Sequence, residues 1–124
     1  MTQNGAQEVW ASELRLNRQK SELSVTFTDG TIGRLPAEFL RVVSPSAEVQ
    51  GHSPSERKLV PGKRNVTIRA IEPVGHYAVR LVFSDGHNTG LYSWHYLHEI
   101  TLRKEEMWSG YLEELAAAGA SRDR

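Results

Sequence analysis

One pattern occurs twice in this 124-residue chain, and it restricts the fold more than any other feature. Leu23 to Leu40 reads LSVTFTDGTIGRLPAEFL, and Val79 to Leu97 reads VRLVFSDGHNTGLYSWHYL. Each copy has an alternating segment ending in Phe27 or Phe83, then a hydroxyl residue, then Asp29-Gly30 or Asp85-Gly86. Alternation marks a strand with one buried face, and Asp-Gly marks a tight hairpin, since Gly accepts the positive φ that such turns demand. A short second strand and a helical turn follow, closing on Phe39-Leu40 or Tyr96-Leu97. The second copy is one residue longer, and the extra length falls beside His87. The duplication predicts an α+β domain of antiparallel β-hairpins with an internal pseudo-repeat, a short helix after each hairpin and a C-terminal helix. Function is to be sought where the copies differ.

Along the chain, residues 1–11 are polar and expected to be a flexible N-terminus. Ser12 to Arg18 reads as a first strand, Leu23 to Phe27 as a second and Ile32 to Leu35 as a third. Pro36 suits the first position of a helix over Ala37 to Arg41, where its missing N–H has no role. From 42 to 64, Pro45, Gly51, Pro54, Pro61 and Gly62 predict a long loop. Val66 to Glu72 is expected as a fourth strand, with a turn or bulge at Pro73 and Gly75. Tyr77 to Ser84 follows as a fifth, with Tyr77, Val79, Leu81 and Phe83 on one face. After a short strand over Thr89 to Tyr92, Ser93 caps a helix over Trp94 to Leu102. The domain is therefore drawn as 12–102, and 103–124 as a C-terminal helix and tail. Met107, Tyr111 and Leu115 recur every fourth residue there, for packing onto the domain or, alternatively, for a homo-oligomer through this helix.

Composition removes several functions. Fifteen acidic and fifteen basic residues balance, so no global field draws the chain to nucleic acid or an anionic membrane. No stretch approaches the run of about 20 apolar residues that a membrane helix needs. MTQNGAQEVW has neither a basic start nor an apolar core, so no secretory signal is expected and a cytoplasmic location is. Without any cysteine, the chain has no disulfide, thiolate nucleophile or thiolate metal ligand.

Three stretches together carry a resemblance: Leu40-Arg41 followed by SPSAEVQGH, then IEPVGHYAVRLVFSDGH, then TGLYSWHYL. They resemble the gamma-butyrobetaine hydroxylase-like N-terminal domain, a domain of unknown function, over roughly Leu14 to Ile100, most of the chain. In carnitine-pathway dioxygenases that domain precedes the catalytic part and holds a structural zinc. The resemblance implies three cysteine ligands in a C-x-C-x-x-C pattern and a histidine after Asp-Gly. Those positions fall here on Ser44, Ser46 and Val49, and on His87. Hydroxyls bind zinc poorly and valine not at all, so no zinc is expected although His87 matches the remaining ligand. None of the five histidines has an acid two residues on, as the iron triad of the dioxygenases would require. No cofactor and no catalytic residues are expected.

The sequence-based expectation is a non-catalytic binding or adaptor module with an unknown protein partner, and no nucleic-acid or membrane partner. Candidate binding residues are His87, His52, Asp85, Ser44, Ser46, Tyr92 and Trp94. A competing reading is a metal or small-ligand sensor in which His52 and Glu48 fold over His87. A third, implied only by the resemblance, is an accessory factor for an iron–sulfur cluster assembly ATPase. Asp29 and Asp85 are expected to hold turns, because Asp accepts bonds from N–H groups two residues on. Tyr77, Tyr92, Trp94 and Tyr96 are expected to fill the core under the second hairpin or, alternatively, to form an aromatic patch for a partner. Arg57, Lys58, Lys63, Arg64 and Arg69 are expected to be a solvated basic cluster.

Overall fold

The computed structural model describes residues 8–123. In chain order, β1 (Ala11–Leu16), β2 (Glu22–Phe27) and β3 (Ile32–Pro36) form one antiparallel sheet that runs into α1 (Ala37–Val42). A linking segment holds α2 (Ala47–Gln50) and a 3-10 turn (Pro54–Glu56). Then β4 (Ile68–Val74), β5 (Ala78–Phe83) and β6 (Leu91–Ser93) form a second antiparallel sheet that runs into α3 (Trp94–Leu102). The chain closes with α4 (Lys104–Ala117). The fold is α+β, as the duplicated hairpin predicts.

The repeat extends to single hydrogen bonds. Gly30 N–H bonds Phe27 O at 3.0 Å, and Gly86 N–H bonds Phe83 O at 3.0 Å. Asp29 Oδ1 accepts Thr31 N–H at 2.9 Å, and Asp85 Oδ1 accepts His87 N–H at 3.1 Å. Both turn glycines have positive φ, +90° and +94°, which is why Gly follows Asp in each copy. Even the pairing irregularity recurs, between Ala11 and Glu13 in β1 and between Ile68 and Ala70 in β4. Alternation sends Leu23, Val25 and Phe27 of β2, and Val79, Leu81 and Phe83 of β5, into one shared core. Leu40, Leu97 and Ile100 fill it from the helices, all fully buried.

Several expectations change. Pro36 ends β3 opposite Glu22 and stands just before the helix, because Ala37 N–H is taken by Ser21 O at 2.8 Å. Pro73 lies inside β4 opposite Val79; β4 is an edge strand, where a missing N–H is tolerated, and the turn is made at Gly75 (φ +57°). Tyr77 is 60 % exposed and not in the core, since the alternation outruns the strand, which starts at Ala78. The 42–64 segment is ordered by α2, where Ser46 Oγ accepts Glu48 N–H at 3.1 Å. The basic cluster in and after it is partly paired, Arg57 with Glu114, Arg64 with Asp123 and Lys63 with Asp85. Residues 1–7 of the expected flexible N-terminus lie outside the described residues, while Trp10 is bonded to Thr28 and Ala11 opens β1.

The last helix packs on its own domain. Tyr111 donates its hydroxyl to Val60 O at 2.6 Å, and Trp108 meets Phe39 edge-on at 6.3 Å between centroids. Just after the helix, Arg122 forms a two-pronged pair with the buried Glu38, at 2.8 and 2.7 Å. Among the described residues, no helix is long and apolar enough to cross a membrane.

Candidate functional site: the polar corner at His87

The chain leaving α1 passes beneath the β5–β6 connection, and the approach is close because Gly90 has no side chain. A Cβ there would lie 2.6 Å from Ser44 Oγ. Ser44 is fully buried, and its Oγ stands 2.9 Å from His87 Nε2. On the other side of the ring, His87 Nδ1 is 3.1 Å from Glu48 Oε1, carried by α2. Ser46 bonds across to Thr89, Oγ to Oγ1, at 2.6 Å, and its N–H donates to Ser44 Oγ at 3.2 Å. Gln50 donates to Ser44 O at 2.8 Å. Asp85, in the turn beneath, receives Arg41 Nε at 2.8 Å and Lys63 Nζ at 2.7 Å on one oxygen.

These contacts set the charge states. Burial would raise the Asp85 carboxyl, but bonds from Lys63, from the His87 N–H and from Arg41 outweigh it and hold it at about 2. Burial, and after it the Arg41 guanidinium, pushes the His87 imidazole down against the weaker pull of Glu48 and Asp85. A neutral ring with a carboxylate at Nδ1 carries its proton there, which leaves Nε2 to accept the Ser44 hydroxyl.

Serine, histidine and glutamate thus stand in the order of a hydrolase triad, which sequence reasoning missed because Glu48 was considered only as a metal partner. A nucleophile, however, must meet its substrate. Ser44 has no exposed surface, and its oxygen already accepts a backbone N–H. The arrangement joins segments that are 43 residues apart, around a fully buried Ser44.

The positions implied as zinc ligands do converge: Ser44 and Ser46 belong to the cluster, and Val49 is buried on α2 beside them. His52 does not. Gly51 turns the chain at φ +68°, and exposed His52 gives its backbone N–H to Glu56 at 2.8 Å. The His52–His87–Glu48 set of the alternative sensor reading is not formed, and among the described residues no three of His, Cys, Asp and Glu gather to hold a metal ion. Tyr92 is buried and donates its hydroxyl to Leu40 O, so it ties the core to α1. Trp94 lies elsewhere, its Nε1 donating to His76 O at 2.8 Å.

Arg41 is the main residue that sequence reading overlooked, although the repeat marks it. It follows Leu40 as His98 follows Leu97, and His98 Nε2 meets Asp29 Oδ2 at 2.9 Å. Each half therefore sends the residue after its Leu to the other half's Asp-Gly turn. The close glycines obey the same exchange: Gly33 faces Thr101 as Gly90 faces Ser44.

Two β-β-β-α units that clasp each other's turns define a small α+β module made by duplication. The chain belongs to the family described as gamma-butyrobetaine hydroxylase-like, N-terminal, which it matches over residues 14–98. Two proteins with NMR solution structures are similar. One is 48 % identical with a TM-score of 0.79, over 92 % of this chain and 90 % of that one. The other is 47 % identical with a TM-score of 0.80, over 98 % and 90 %. A crystal structure of a protein of unknown function from Acidithiobacillus ferrooxidans, in the DUF971 family, is 40 % identical with a TM-score of 0.61, over 73 % of this chain and 91 % of that one. No curated protein matches.

Proposed function

We propose that this chain is a non-catalytic protein-binding module, cytoplasmic and without a cofactor, whose family zinc position has become a hydrogen-bonded clamp. The observation that carries the reading is the sealed Ser44–His87–Glu48 chain: a constellation able to do chemistry only if opened, and held shut by Ser46, Thr89 and Gly90. Neutral hydroxyls in place of soft donors support the absence of zinc from the same corner. The clamp sets the 42–51 segment against the second hairpin, which leaves the exposed surfaces to make contact with a partner. Capture from native extract on the immobilised full chain, at modest salt with crosslinking, tests this. A specific protein retained reproducibly is expected, and its identity decides whether it is a cluster-assembly ATPase. Failure to retain any, or labelling of Ser44 by a fluorophosphonate, contradicts the proposal.

A further inference from the structure

A cleft of about 610 Å³, sharing no residue with the His87 corner, opens where the β4–β5 turn meets the start of α3. Its walls include three aromatic side chains, Trp10, Tyr77 and Trp94. Trp10 and Tyr77 are 44 % and 60 % exposed, a large apolar area to leave in water on one face. Two of the rings, Trp94 and Tyr77, are nonetheless anchored. Trp94 is pinned through its indole N–H to His76 O, and the Trp10 backbone is bonded on both sides to Thr28. The Tyr77 ring lies over Gly75 so closely that a Cβ there would be 2.9 Å from it. Among the described residues, none of the three rings pairs with another aromatic ring.

Charge narrows the occupant. Three other clefts among the described residues are each walled by Lys or Arg, for example Arg103, Lys63 and Lys104. Among the described residues this one has neither, and its wall carries the Glu8 carboxylate. His95 and His98 complete the wall, the second already engaged by Asp29. Aromatic faces attract cations through the ring quadrupole, and a planar guanidinium can also stack on them, which an ammonium cannot. Anchored rings lose little freedom when a ligand enters. We infer that this cleft receives an arginine side chain presented by the partner protein. The inference rests on the binding-module reading and gives it a partner chemistry.

The probe is the capped peptide Ala-Arg-Ala, with its citrulline counterpart as a neutral isostere and its lysine counterpart as a second cation. Binding is followed on the full chain by the three indole N–H signals in nitrogen-15 spectra. The arginine peptide should shift the Trp10 and Trp94 signals saturably and leave Trp108, which already lies under Arg122, unmoved. Citrulline should bind about three- to tenfold more weakly, and lysine more weakly than arginine. Tyr77→Leu and Trp10→Leu, both at exposed positions, should each weaken arginine binding by a similar factor with the remaining spectrum unchanged. Equal binding of citrulline or lysine, shifts confined to other residues, or no saturable shift at tens of millimolar peptide (about the weakest range such a contact gives) would overturn the assignment. If the peptide fails while a partner is captured, only this inference falls; if the peptide binds and nothing is captured, the binding-module reading falls.

Discussion

His87 is gripped from three sides, by Ser44 at Nε2, by Glu48 at Nδ1 and by Asp85 at its backbone N–H. Burial holds the folded imidazole below its ordinary value of about 6.5. Below that pH the unfolded chain takes a proton that the folded chain resists, so folding stability falls as pH drops from about 6.5. His87→Gln, which cannot titrate, should show less of this loss when urea midpoints are followed from neutral pH to about 5. Asp85 acts at lower pH. Its folded value of about 2 lies below the unfolded one, so its contribution is complete above about 4 and is lost as pH falls through 2. Asp85→Asn keeps a turn acceptor but leaves Arg41, whose side chain is only 12 % exposed, without its carboxylate. Among the described residues, Arg41 Nη1 already has no hydrogen-bond partner. The substitution should cost about 1–2 kcal/mol in urea unfolding, between the values for exposed and buried pairs.

The exchange between the two repeats is a matter of close approach between elements. The segment after α1 passes over Gly90 of the second half, and α3 packs on β3 of the first, where Gly33 faces Thr101. Gly90→Ala would place a methyl group 2.6 Å from Ser44 Oγ, and Gly33→Ala one 2.3 Å from Thr101 Oγ1. Each should lower stability by about 1–3 kcal/mol. Adding Ser44→Ala to Gly90→Ala should recover part of that loss, whereas Ser44→Ala alone breaks the clamp; a double-mutant cycle measures the coupling. The same segment also tests the proposed loss of a zinc site. Ser44→Cys, Ser46→Cys and Val49→Cys together place three thiolates beside His87, and the variant should bind about one zinc per chain, with thiolate charge-transfer absorption on cobalt substitution. A variant that folds and stays empty would show that the backbone no longer matches the family's site.

The chain ends by locking the molecule together: Arg122 reaches Glu38 and lies 5.2 Å from the Trp108 ring centroid, while Gly62 and Arg64 N–H bond Ser121 and Arg122 carbonyls. Arg122→Ala strands a carboxylate that is only 7 % exposed and should cost about 2–4 kcal/mol by chemical denaturation. Such long-range ties were invisible in the sequence, while the local features could be read from it. Alternation located β2 and β5, Asp-Gly both turns, and Ser93 the start of α3, because each depends on neighbours within a few residues. Tyr77 was misplaced because alternation does not say where a strand begins, and Pro73 because edge position is a property of the sheet. The positions of Ser44, Ser46 and His87 were readable through the resemblance; their contacts with Glu48, Thr89 and Arg41 depended on how the halves dock. The most direct test of a sealed, metal-free corner is the nitrogen-15 shift of both His87 ring nitrogens across pH. Nδ1 should be protonated and Nε2 bare and hydrogen-bonded, with the ring still neutral below the usual histidine range. A ring that titrates like a free histidine, or an Nε2 signal displaced by a bound ion, would contradict the account.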